Sequence, residues 1–152
     1  MTRNQEGSVT VMSLSIAFAV AIVMILVIEF CYFLTVRAHI QGTIEATLET
    51  VVEYWVIDEY RRDEELYISE EAAMDSYRQM ISENLSLDMD GIRFQEDGKR
   101  VWQYEELEFQ CSDNGIFIKA NITVWPLMLR NLLGELGTNM TLEAKAYVNY
   151  NK

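Results

Sequence analysis

Proline occurs once in this chain of 152 residues, histidine once and cysteine twice, and 12 basic residues face 24 acidic ones. With Pro126 and only seven glycines, there is little material for a long disordered linker. His39, Cys31 and Cys111 are too few for the common zinc sites, and two thiols make no disulfide-rich scaffold. A formal net charge of −12 excludes a general nucleic-acid binder, because nothing neutralises a run of phosphates. No glycine-rich phosphate loop and no Ser or Cys in a recognisable nucleophile context accompany His39, so neither an enzyme nor a cofactor is indicated. Acidic neighbours such as Glu105 and Glu106 face opposite ways on a strand and do not converge for acid–base work. The length suits one ordinary domain, and half of the residues are apolar, enough for a core.

Those apolar residues are unevenly spread. Val9 to Ile28 is a run of twenty residues without a charge. As a helix it is about 30 Å long, the thickness of a hydrocarbon core. Thr10, Ser13 and Ser15 can return their hydroxyls to carbonyls one turn back. A core helix would have to bury apolar residues on every side, which a domain of this size rarely does. A transmembrane helix is therefore expected, with the lipid bilayer as its partner. The Ala-x-Ala at Ala17 to Ala19 lies inside the run, which argues against a cleaved secretory signal. Bulky Phe30 and charged Glu29 before Cys31 argue against a lipoprotein anchor. Tyr32 and Phe33 suit an interfacial anchor. For Glu29 two readings stand open, a solvated interfacial group or a contact with a neighbouring subunit's helix. Arg3 lies before the span, Arg37 and His39 after it, so the positive-inside rule barely decides orientation.

Beyond Arg37 the helix is expected to continue. Ile40, Ile44, Leu48, Val51 and Trp55 recur at three- and four-residue spacing, with Glu45, Glu49 and Glu53 opposite and Gly42 the only weak point. Asp58 to Glu65 reads as a solvated helix end or loop. A second helix is expected from an N-cap at Ser69, with Met74, Tyr77, Ile81 and Leu85 inward. The period then shifts to two. Ile92 and Phe94 form a short strand, and Asp97-Gly98 is a turn. In Val101 to Cys111 the residues Leu107, Phe109 and Cys111 are expected inward, and Ile116 to Val124 alternates cleanly. Pro126 stops that strand, Leu127 to Leu136 is helical or looped, and Thr141 to Val148 closes the sheet. The fold class is α+β: a long N-terminal transmembrane helix continuing into an amphipathic helix that packs on a small, mainly antiparallel sheet, with one further helix. Ser86-x-Asp88-x-Asp90-Gly91 faintly resembles a calcium loop, but it lacks the first carboxylate, and a surface turn is the better account. Cys31 and Cys111 read as buried free thiols.

Glu6-Gly7-Ser8-Val9-Thr10-Val11, leading into the apolar helix, resembles the start of a type IV pilin-like protein. More specifically the chain is similar to the TadE-like proteins, minor pilins or pseudopilins of the tight-adherence pilus system. Ile28-Glu29-Phe30 and Phe33-Leu34-Thr35-Val36-Arg37 carry that likeness, together with Pro126, Gly137 and the Ala-rich last strand. The resemblance implies a cut after Gly7 by a prepilin peptidase, a mature start at Ser8, and N-in, C-out insertion in the cytoplasmic membrane. It also implies partners among other pilin-like subunits and the pilus assembly platform. Met12 stands where such pilins usually carry Glu, leaving Glu29 as the only carboxylate of the span. Ser13, Ala17 and Ala21 form small-xxx-small pairs suited to close helix packing in lipid. The expected organisation is a leader or cytoplasmic tail over 1–8, a transmembrane helix over 9–36 and an acidic extracytoplasmic domain over 37–152. The expected role is a non-enzymatic structural subunit. The alternative is a membrane-anchored binding or sensory module.

Overall fold

In the computed structural model, residues 3–60, 70–112, 115–134 and 136–147 are described. The first element, α1, is one helix from Arg3–Tyr60, 58 residues or about 87 Å long. It passes through Gly42 without interruption, and a Cβ there would touch nothing. The rest is α2 (Glu70–Leu85), β1 (Ile92–Phe94), β2 (Arg100–Ser112), β3 (Gly115–Val124), the four-residue α3 (Arg130–Leu133) and β4 (Thr138–Tyr147). The strands form one antiparallel meander in the order β1-β2-β3-β4. This is the α+β architecture expected from the sequence.

Two environments divide α1. From Thr10 to Met24 every side chain is exposed and almost all are apolar, exposed Leu26, Val27 and Ile28 continue that surface, and the helix is long and apolar enough to cross a membrane. From Val36 onward the helix is the spine of the domain. Ile40, Ile44, Leu48 and Val51 are buried against the sheet, with Trp55 half-buried, while Glu45, Glu49 and Glu53 face out. The three- and four-residue spacing therefore lays its stripe on the domain's own β3 and β4. Each of those side chains stabilises the fold by about 2 kcal/mol through apolar burial. The amide of Gln41 adds a bond to the Glu143 carbonyl at 3.1 Å, fixing α1 along the β4 edge.

Helix α2 covers the β2 side. Its buried residues are Ala73, Tyr77, Ile81 and Leu85, so Ala73 rather than the expected Met74 is buried. Met74 is half-buried. The Asn84 amide donates to Thr47 Oγ1 at 3.0 Å, joining α2 to α1. The expected cap Ser69 and most of the 58–65 charge run lie outside the described residues.

Strand β3 alternates as read, with Ile116, Ile118, Ala120, Ile122 and Val124 all buried. Strand β2 departs from the simple alternation. Glu106 pairs with Ala120 and Glu108 with Lys119, so Leu107 is the extra residue of a bulge and is exposed. Leu107 does not face inward as expected, because the bulge shifts the phase. Trp102 and Tyr104 before it, and Phe109 and Cys111 after it, share the core side. Strand β4 starts at Thr138, three residues ahead of the expected Thr141, and buries Leu142, Ala144 and Ala146, while Val148 lies outside the described residues.

Candidate functional site

The most informative group is a carboxylate where a carboxylate is least expected. Glu29 follows the uncharged run, yet only 4% of it is exposed. One carboxylate oxygen accepts from the backbone N–H of Met128 at 3.1 Å and of Leu129 at 3.2 Å, and the other lies 3.4 Å from the Met128 nitrogen. The sequence reading left a solvated group or an intersubunit contact. In the structure Glu29 is not solvated: it bonds to its own chain, where a segment 99 residues away offers two amides.

The local sequence explains how that segment arrives. Strand β3 ends at Val124, the Trp125 N–H still reaches the Val101 carbonyl at 3.1 Å, and Pro126 then has no N–H with which to extend the ladder. The chain turns toward α1, and the Met128 and Leu129 amides, ahead of α3, have no intrahelical acceptor. After α3 the chain must return close to β3. Gly137 makes this possible, since a Cβ there would lie 2.5 Å from Thr123 Cγ2. Glu29 thus ties α1, at the end of its bare section, to the 126–137 crossover between β3 and β4. Tyr32 and Phe33 pack on the core just above it.

The other expected site residues are not brought together. Gly7 and Ser8 lie in the helical backbone of the first turns of α1. Ser13 donates to the Thr10 carbonyl at 3.0 Å and Ser15 to the Val11 carbonyl at 2.9 Å, so both hydroxyls are satisfied within the helix. Ala17 and Ala21 are exposed on the same bare section. At about 100° per residue, Ala21, Ala17 and Ser13 sit roughly 80°, 120° and 160° around the helix from Glu29. Asp88 Oδ1 accepts from the N–H of Asp90 at 3.0 Å and of Ile92 at 2.7 Å, which makes 88–92 an Asx turn closed by Gly91 at φ 72°. Asp90 does not join Asp88 in a ligand set, and among the described residues no three His, Cys, Asp or Glu converge on a metal position. His39 is exposed, its ring edge-on to Trp102. Both cysteines are free, but Cys31 is exposed on the helix surface rather than buried within the domain. Cys111 is half-buried, and burial together with the Glu70 charge pushes its thiol up to about 11.

Tyr77 and Tyr104 form a second buried polar contact that sequence reasoning missed. Their hydroxyls lie 2.9 Å apart between α2 and β2, and burial drives both phenols far above their ordinary pKa. Beside them Arg78 grips Glu106 with two bonds, at 2.7 and 3.2 Å. Glu106 shares this side with Trp102 and Tyr104 by alternation, ahead of the bulge at Leu107. Neither phenol ionises near neutrality, so the pair fastens α2 to the sheet. Nothing in the local sequence pairs Glu29 with Met128, or Tyr77 with Tyr104; the only signal was the oddity of a carboxylate in an apolar run.

No family profile, curated protein or solved structure matches this chain.

Proposed function

We propose that this chain is a single-pass, membrane-anchored structural subunit of the TadE-like kind, a minor pilin or pseudopilin of a pilus or secretion apparatus. It spans the cytoplasmic membrane with its N-terminus inside and its acidic domain outside. The carrying observation is the division of α1: a bare apolar section, then a section that is the spine of a domain, with the Glu29 clamp at the boundary. Such a helix is at once anchor and scaffold. A lateral partner gripping the bare section would hold the outer domain in a fixed place, with no hinge between them.

The resemblance of Gly7 to Val11 and of Ile28 to Arg37 supplies the family. Small residues supply the means of association, because helices in lipid gain little hydrophobic free energy by meeting and rely on close packing. The Ser13, Ala17 and Ala21 row lies around the helix from the Glu29 clamp, so the domain leaves it open to a neighbouring helix. The acidic domain keeps protruding subunits soluble and apart except at specific contacts. The role is positional.

The test is the intact mass and N-terminal sequence of the protein from native membranes, with and without prepilin peptidase. A peptidase-dependent start at Ser8, together with co-purification of filament subunits, is the expected result. An intact Glu6-Gly7-Ser8 junction in both preparations, with no pilin partner, refutes the proposal and favours an anchored binding or sensory module.

A further inference from the structure

Among the described residues, nine large apolar side chains outside α1 are exposed, and five of them fall in one stretch: Leu127, Met128, Leu132, Leu133 and Leu136. Leu132 is 82% exposed and Leu136 69%. A connection between two strands of a water-facing domain is ordinarily polar, so a leucine-rich one marks a contact with something apolar. Arg130, in the middle of the stretch, turns its guanidinium back to the Arg100 carbonyl of β2 at 2.9 Å.

The position of this stretch identifies the occupant. It meets α1 across an apolar cleft of about 330 Å³ lined by Leu26, Phe30 and Phe33 from the helix and Leu129, Leu133 and Leu136 from the crossover. Those helix residues are the last of the bare section and the first beyond Ile28. The exposed leucines are therefore continuous with the apolar surface of the helix and lie beside the end of the span. From Leu26 to Phe33 is about 10 Å of helix, comparable to the 5–10 Å by which interfacial apolar elements enter a bilayer.

We infer that the 127–136 crossover is a foot that rests in the headgroup and upper acyl region of the bilayer that α1 enters. This rests on the reading of α1 as a membrane span. Lipid is the partner because the surface is apolar, continuous with the span and at the depth of its end. Glu29 then acts as a positioning residue. Its two bonds to the foot hold it against the helix at a fixed height, and the foot in turn keeps a carboxylate beside lipid hydrogen-bonded. The domain is seated on the membrane at two places, which fixes its tilt as well as its height.

The experiment uses the full chain in phosphatidylcholine vesicles, with Cys31 and Cys111 replaced by alanine and a polarity-sensitive fluorophore attached at Leu132→Cys. Leu136→Cys is a second site in case the first perturbs folding. Val20→Cys in mid-span and Met89→Cys at an exposed turn are references, and retention of the native circular dichroism is required of each. The expected result at Leu132→Cys is a blue shift relative to Met89→Cys, loss of most aqueous iodide quenching, and quenching by lipids carrying nitroxide high on the acyl chain. These should not depend on the protein-to-lipid ratio. Iodide quenching equal to that at Met89→Cys, with Val20→Cys still quenched by deep nitroxides, overturns the foot and leaves the span intact. Shielding without nitroxide quenching, growing with protein density, overturns it in favour of a second copy. Aqueous exposure of Val20→Cys overturns the membrane span and the foot together.

Discussion

Replacing Glu29 by alanine removes the acceptor for two backbone amides that have no other partner among the described residues. A hydrogen bond to a charged group contributes about 1.5–3 kcal/mol net. At 3.1 and 3.2 Å the two contacts are longer than the best charge-assisted bonds, which places them at the lower end of that range. Burying the carboxylate costs part of the gain, leaving the clamp with about 2 kcal/mol. Since 1.4 kcal/mol is tenfold, amide exchange at Met128 and Leu129 should accelerate by roughly 30-fold in Glu29→Ala. Glu29→Gln keeps one oxygen and loses the charge, so about half of that free energy, or roughly fivefold faster exchange, is expected. Ile118 and Ile122, buried in the centre of β3, should be unchanged in both variants because the clamp opens without unfolding the sheet. Hydrogen exchange read by mass spectrometry on the 124–137 region, in nanodiscs, measures these rates. Exchange at Met128 and Leu129 as slow in Glu29→Ala as in the parent would refute the clamp.

Gly137→Ala should destabilise the domain by about 1–3 kcal/mol through the clash with Thr123 Cγ2. Thr123→Ser, which removes that methyl but keeps the hydroxyl bonded to Asn139, should restore much of the loss in thermal melts. Tyr77→Phe strands the Tyr104 hydroxyl and should cost about 1–3 kcal/mol, whereas Tyr77→Phe with Tyr104→Phe should cost less than the single change in denaturant titrations. Because burial raises both phenols, their contribution is full below the unfolded-chain pKa of about 10 and is lost as pH climbs above it. Alkaline unfolding should accordingly be shallower in the double phenylalanine variant. With its thiol pushed up to about 11, Cys111 should react with iodoacetamide at pH 8 far more slowly than an unfolded-chain cysteine and accelerate as pH approaches that value, as peptide mass mapping would record.

Much of the fold was legible because its signals are local. The i, i+4 run from Ile40 to Trp55 and the alternation of Ile116 to Val124 each fix a buried face by geometry alone. Where the reading failed, a distant neighbour or an inserted residue decided. Leu107 has the pattern of an inward residue, and only the register of β2 against β3 makes it the bulge. Ala73 rather than Met74 completes the row of Tyr77, Ile81 and Leu85, because the elements that α2 packs on decide which of its faces turns inward.

The sequence by itself determined that this chain carries a span-length apolar helix and an acidic α+β domain. Composition and periodicity are properties of neighbouring residues, and those suffice for such statements. Only the tertiary structure decided what Glu29 does. Its partners are backbone amides, which every residue but proline possesses and which no side-chain pattern marks. They lie 99 and 100 residues along the chain and become available through Pro126 and the close return at Gly137. The same packing placed the crossover leucines beside the end of the apolar helix. In the sequence they are one more hydrophobic stretch, and in the fold they extend the surface that the helix begins.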